Sequence, residues 1–292
     1  MRVAILGGTG CGGRATAAAL RAVGHTVLTV ARGQLSLAPD LCCDRHDPDA
    51  LRAAWQRFAP EVLVDHVAYT PDEVALVLAS LPPTTRRYVL ISSAAVYGAA
   101  ADGPFDERAR CRPQGALAKS KLAAERVAHG SSDPNLEIVT LRLGGLYGPG
   151  HAPLTPRGRD AELLARLRRG EPIPVPDTAD ALQPWFSGDH GRLIAALIAD
   201  PAPLPVLNAA GDERVPWPQV IEAWARAAGA PPPCLLPSDR AALRDQAPVA
   251  LRPFIDMILS PPHLDTGRAR ERYPTVWPLT PLDVGARRTL AA

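Results

Sequence analysis

Near the amino terminus the segment Gly7-Gly8-Thr9-Gly10-Cys11-Gly12-Gly13 sets glycines at positions 7, 10 and 13, one every three residues. Between a strand and a helix that spacing has a chemistry. The first glycine allows a tight turn, the second lets a pyrophosphate approach without a Cβ in the way, and the third lets the helix pack closely. The helix amino end then offers N–H donors and the positive end of its dipole. The apolar run Arg2–Leu6 before the motif and the Ala-rich segment from about Cys11 after it supply this context. The expected ligand is a dinucleotide held on Gly7, Thr9, Gly10, Cys11, Gly12 and Gly13.

The second strand ends Val30-Ala31-Arg32-Gly33 and carries no acid for the ribose hydroxyls of NAD(H). Arg32, with Arg14 just past the third glycine, forms a candidate clamp for a 2′-phosphate, which favours NADP(H), with NAD(H) the alternative. Two solvated arginines are the competing reading. Asp44, after the third strand, is placed to accept from the adenine amino group, or else is a turn residue ahead of Asp47.

The elements that must position these residues alternate strand and helix, the pattern of a parallel sheet with crossover helices. Strands are expected at about Arg2–Leu6, Thr26–Val30, Leu41–Cys43, Val62–Val67, Tyr88–Ser92 and Leu136–Arg142. Thr70-Pro71-Asp72-Glu73 supplies an N-cap, a first-turn proline and a capping-box glutamate, and Asp47-Pro48 opens the preceding helix in the same way. Gly170 closes a helix through Leu163–Arg169. After Gly144 prolines interrupt shorter elements. A helix at about Asp189–Ile198 and a strand at about Val206–Ala209 are expected to return to the first unit. The fold class is therefore α/β: a Rossmann-type doubly wound parallel sheet over 1–148, joined by parts of 185–210, with a small α/β substrate lobe over 149–292.

The 292 residues carry 32 basic and 30 acidic side chains, a net +2 that provides no strong field for a polyanion and argues against nucleic acid as main partner. With 47% hydrophobic and 21% charged residues the chain can bury a core. Its five cysteines include no Cys-x-x-Cys pair, so neither a disulfide framework nor a metal site is indicated. No apolar run is long enough for a signal peptide or a membrane span, and a cytoplasmic location is expected.

The sequence resembles the extended short-chain dehydrogenase/reductases, the NAD-dependent epimerase/dehydratase family. The glycine motif, Asp65-His66-Val67-Ala68-Tyr69, Ile91–Gly98, Lys119-Ser120-Lys121, Arg142–Pro149 and Leu207–Gly211 carry the resemblance, in that order. It implies a bound dinucleotide, with Val67 and Ala68 beside it, and a carboxy-terminal lobe that in many members receives nucleotide sugars. It also implies a catalytic Ser or Thr, matched by Ser93, and a Tyr-x-x-x-Lys pair in which the ammonium lowers the phenol pKa and holds the nicotinamide ribose. Lys121 matches the lysine. The tyrosine position is Leu117.

Leucine transfers no proton, and general acid–base catalysis is worth about 10²–10⁴-fold, so ordinary carbinol oxidation by the family route is expected to be crippled. Open α/β sheets bind ligands at the carboxyl ends of their strands. Tyr69, after the fourth strand, and Tyr97, after the fifth, are therefore the replacement candidates, against a packing role for each. His66 reads as a core histidine and Trp217 as core, while Trp185, Phe186, Asp189 and His190 fall where the family often places substrate-facing residues. Cys111 is a weaker candidate for the cavity wall.

The leading expectation is an NADP(H)-binding protein acting on a small polar metabolite, either a nucleotide sugar or a secondary metabolite, by an atypical oxidoreductase or epimerase mechanism. A dinucleotide-binding sensor without turnover and a non-redox isomerase, cyclase or lyase remain open. A homodimer is a candidate assembly.

Overall fold

The computed structural model describes residues 1–35, 37–98 and 103–291. Its centre is a sheet of seven parallel strands. Six are β1 (Arg2–Leu6), β2 (Thr26–Ala31), β3 (Leu41–Cys42), β4 (Val62–Asp65), β5 (Arg87–Ser93) and β6 (Glu137–Leu143), and the strand Val206–Ala209 is the seventh. The spatial order is Val206–Ala209, β6, β5, β4, β1, β2, β3. The chain thus winds outward both ways from β1 and β4, and the crevice between their carboxyl ends is the switch point where such sheets take ligands.

Both faces of the sheet are buried. In β1, Val3 and Ile5 pack with Leu20, Leu193 and Leu197 on one side, while Ala4 and Leu6 pack with Leu51, Trp55 and Val74 on the other. This is why the strands read as continuous apolar runs. On the first side lie α1 (Cys11–Ala22) and α6 (Ser187–Ala199); on the second lie α2 (Pro48–Phe58), α3 (Pro71–Ser80) and α4 (Gly115–His129).

The caps form as the residue types require. Asp47 accepts from the N–H groups of Asp49 and Ala50 at 3.1 and 2.9 Å. In α3 the Glu73 N–H donates to Thr70 Oγ1 at 3.2 Å, and Glu73 Oε2 accepts from the Thr70 N–H at 2.9 Å. β4 stops at Asp65, two residues before its expected end, because the Asp65 carboxylate accepts the Val67 N–H and turns the chain. Gly170, with φ +66°, ends the helix α5 (Leu163–Arg168).

A further core cluster lies in the chain after β6, where Leu163, Leu167, Ile173 and Val175 close on Trp217, Ile221 and Trp224. Trp217 is core, its indole N–H donating to the Leu259 carbonyl at 2.9 Å. Among the described residues no helix is long and apolar enough to cross a membrane.

Candidate functional site

The glycine loop links β1 to α1. The Gly7 N–H donates to the Val30 carbonyl at 2.9 Å and the Gly10 N–H to the Gly7 carbonyl at 3.1 Å. Gly7 has φ +79°, a conformation L side chains rarely adopt. A methyl on Gly13 would overlap the Gly7 carbonyl oxygen, so that glycine serves helix–strand packing. At Gly10 the same methyl would meet only that oxygen, at an ordinary 3.5 Å, so the protein leaves the space above Gly10 open. A groove of about 360 Å³ runs from this space along Gly7, Thr9 and Gly10 to Arg32, Asp44 and His46, with Val67 and Tyr69 on its wall.

That groove brings together half of the expected dinucleotide contacts: Gly7, Thr9, Gly10, Arg32, Asp44 and Val67 line it, while Cys11, Gly12, Gly13, Arg14, Ala68 and Lys121 do not. Arg32 is exposed at its far end, beside Asp44. The N–H and ring of His46 hold the Asp44 carboxyl below its usual range, with bonds of 3.0 and 2.9 Å to one oxygen. Arg14 does not join Arg32. Its guanidinium lies against Gly150, so of the two arginines only Arg32 lines the groove. Cys11 is buried and turned toward Ser187, and Gly12 sits against His66 and Leu146, so neither contributes side-chain wall to the groove.

Lys121, in α4, is buried with its ammonium donating to the carbonyls of Ala68 at 2.6 Å and Ile91 at 3.0 Å. Burial pulls its pKa down to about 8 against the opposing pull of Asp65 and Glu73. The Tyr69 ring, half exposed, lies 4.5 Å from the ammonium. An ammonium has three donors, so one remains for a ligand at this end of the crevice. Ser93, at the end of β5, is half-buried, and its hydroxyl accepts the Ala95 N–H at 3.2 Å. Leu117, one helical turn before Lys121, is half-buried and leaves an apolar surface on that face.

Tyr97 is a correction. Its hydroxyl donates to Asn208 Oδ1 at 2.8 Å and accepts from Arg142 at 2.9 Å, its ring stacks on Phe105, and burial raises its pKa to about 12. The same Arg142 is clamped on Glu125 at 2.7 Å, and Glu125 accepts the Ser92 hydroxyl. Tyr97 therefore pins β5, β6 and the strand Val206–Ala209 together and is not free to move a proton. Trp185, Phe186, Asp189 and His190 are all buried, Trp185 and Phe186 among apolar side chains and Asp189 accepting the Thr280 hydroxyl at 2.8 Å. His66 is half-buried beside Gly12 and shares a 3.2 Å hydrogen bond with the Thr16 hydroxyl. Burial raises the Cys111 thiol pKa, the wrong direction for a reactive thiolate.

Two groups were not foreseen. Arg45 makes a bidentate pair with buried Asp65, at 2.9 and 2.9 Å, and the Tyr88 hydroxyl donates to the same carboxylate at 2.9 Å. This pair ties the loop carrying Asp44 to the end of β4. The Glu125–Arg142 clamp does the same for α4 and β6. Only the i, i+4 spacing of Lys121 and Glu125 hinted at a shared face.

The groove on a glycine turn, the open space at Gly10 and the lysine at the crevice fit a dinucleotide. The model of the NAD dependent epimerase/dehydratase family matches residues 3–210. The chain belongs to this family. Among solved structures, the UDP-glucose 4-epimerase of Thermotoga maritima, solved with UDP-glucose, superposes with a TM-score of 0.78 at 17% identity, over 100% of this chain and 98% of that one. The UDP-glucose 4-epimerase of Thermus thermophilus, solved with NAD, gives 0.76 at 21% identity over 100% and 98%. At these identities the likeness is one of fold. A curated relative, the 3-diazoavenalumate denitrifying reductase of a Streptomyces species, is 28% identical over 266 residues, 82% of this chain and 85% of its own. The family's fold and an enzymatic role follow.

Proposed function

We propose that this protein is an NADP(H)-dependent reductase whose acceptor takes a hydride without needing a proton from the enzyme. The single observation that carries the reading is the α4 face on which Lys121 keeps one ammonium donor free while Leu117, one turn away, offers no acid. Gly7, Thr9 and Gly10 hold the pyrophosphate, Asp44 the adenine amino group and Arg32 the 2′-phosphate. Val67 walls the groove, Ala68 holds Lys121 through its carbonyl, and Lys121 holds the nicotinamide ribose. Tyr69, stacked on the ammonium, is a positioning residue that keeps Lys121 aimed. Ser93 orients the acceptor, which enters from the 149–292 lobe.

When bound, a reduced nicotinamide supplies a hydride, and an arenediazonium that takes it becomes the arene and releases N₂ with no proton to be added. An acceptor of this class, suggested by the diazo compound named for the Streptomyces relative, gains from an apolar Leu117. A leucine there excludes water, which would otherwise compete at the reacting carbon.

The experiment incubates the protein with 4-deuterated NADPH, of both stereochemistries, and 4-hydroxybenzenediazonium, beside a no-enzyme control. Expected are one N₂ per cofactor oxidised, deuterium at the carbon that lost nitrogen, and a rate that Tyr69→Phe changes less than threefold but Leu117→Tyr lowers at least tenfold. No acceleration over the control, or a Leu117→Tyr protein that gains alcohol oxidation and leaves diazonium turnover intact, would overturn the reading.

A further inference from the structure

The carboxy-terminal lobe contains a second cavity, of about 400 Å³, between the hairpin at Leu154–Arg159 and the segment after α8 (Arg240–Gln246). Three arginines line it, Arg157, Arg159 and Arg252, against two carboxylates, Asp160 and Asp245. Neutralisation is incomplete. Asp160 stands 3.5 Å from Arg157 and is shared with Arg166 at 3.2 Å. Arg159 and Arg252 make no ion pair among the described residues. Arg159 donates to the carbonyls of Ala152 at 3.1 Å and Leu146 at 2.7 Å, and Arg252 to those of Ala247 at 3.2 Å and Asp245 at 2.9 Å. A guanidinium carries five N–H donors in a fork matched to a carboxylate, so each retains donors for a ligand.

We infer that this cavity binds the carboxylate of a small organic acid, held by Arg157 and Arg252 with Arg159 toward the cofactor groove. The inference rests on the reading of 149–292 as the substrate lobe. Three features support it. Arg159 reaches the carbonyl of Leu146, which closely follows β6, and its charge acts on Cys11, the first residue of α1, so the cavity adjoins the amino end of the helix that carries the glycine loop. Burial, joined for Arg157 by the charge of Arg166, lowers the pKa of both Arg157 and Arg159, a cost that a bound carboxylate would offset. Among the described residues the wall carries no aromatic side chain on which a nucleobase could stack, its apolar part being alanine, Pro248 and Val249.

The test is direct binding, independent of hydride transfer. Isothermal titration of the whole protein with 4-hydroxybenzoate, its amide 4-hydroxybenzamide, and UDP is compared in wild type, Arg157→Gln, Arg252→Gln and Arg252→Lys. Expected are an acid bound at least tenfold more tightly than the amide, a loss of at least fivefold for the acid alone in each glutamine variant, partial recovery in Arg252→Lys, and NADP(H) affinity within twofold throughout. Equal affinity for acid and amide, no measurable binding of the acid, or glutamine variants that bind it as wild type does would overturn the inference. UDP binding more tightly than the acid and lost in the same variants would assign the cavity to a nucleoside diphosphate and overturn it too. Should the acid bind as expected while the diazonium assay fails, the inference stands and the reductase reading falls.

Discussion

Gly10 and Gly13 belong to one motif, yet a methyl at each should act on opposite quantities. At Gly10 the backbone has φ −74° and ψ 166°, a region open to any L residue, and a Cβ would stand 3.5 Å from the Gly7 oxygen. Gly10→Ala should therefore leave the fold intact or stabilise it by about 0.4–1 kcal/mol through the unfolded chain. The methyl projects into the groove, so NADP(H) affinity should fall at least tenfold. At Gly13 the methyl overlaps the Gly7 carbonyl oxygen, and strand and helix must separate. Overpacking of this kind costs about 1–3 kcal/mol, which for a chain of this size lowers Tm by roughly 2–5 °C. Circular dichroism on heating, paired with calorimetric titration of NADP(H), reads both. A Gly10→Ala protein that binds NADP(H) like wild type, or melts lower than Gly13→Ala, would refute the assignment of Gly10 to the ligand and Gly13 to the packing.

Three further outcomes are expected. Arg32→Ala should weaken NADP(H) about tenfold, since a charge-assisted hydrogen bond is worth about 1.5–3 kcal/mol and this one is exposed, while NAD(H) affinity changes less than threefold; equal losses for both in titration remove the 2′-phosphate assignment. Lys121, with its pKa drawn from 10.5 to about 8 by burial, binds fewer protons folded than unfolded between those values, so its burden of about 3 kcal/mol is full below pH 8 and is relieved as pH rises toward 10.5. Urea unfolding should accordingly show wild type gaining on Lys121→Met over that window, and a constant difference would show the lysine unshifted. His66, pushed down to about 3, and His190, pushed well below its usual value, are neutral when folded and protonate only in the unfolded chain, so their contribution is present above pH 6.5 and is lost as pH falls below it. His190→Leu should flatten that acid slope by about 1.4 kcal/mol per pH unit, and an unchanged slope would show that the buried ring already carries a proton.

What could be read from the sequence follows burial. β1, β4, β5 and β6 are legible because apolar residues on both faces leave continuous strand-forming runs, and the caps at Asp47 and Thr70 because their partners lie within three residues. The strand Val206–Ala209 was legible for the same reason. The lobe beyond Gly144 was not, since strands such as Leu154–Thr155, Gly158–Arg159 and Ala181–Leu182 are two residues long and carry no period. In the site, residues that line the groove through backbone or through the end of their own strand were found: Gly7, Gly10, Arg32, Asp44. Residues whose role depends on distant partners were not. Tyr97 looks free until Arg142 and Asn208, from 45 and 111 residues away, take its hydroxyl. Arg14 looks like a neighbour of Arg32 until Gly150 claims its guanidinium.

On the proposed reading Leu117 stands where the family resemblance implies a phenol, and α4 must hold Lys121 without one. On α4 the residues 117, 121 and 125 form one stripe. Docking of the helix rests on the lower two: Lys121 on the carbonyls of Ala68 and Ile91, and Glu125 on Arg142 and Ser92. Buried Ala124 and Ala128 pack against the sheet from the same helix. None of these contacts passes through position 117, which is in the first turn and only half-buried. On that reading a leucine at 117 leaves Lys121 and its carbonyl partners where they are, because the contacts that hold the helix are mechanically separate from that position.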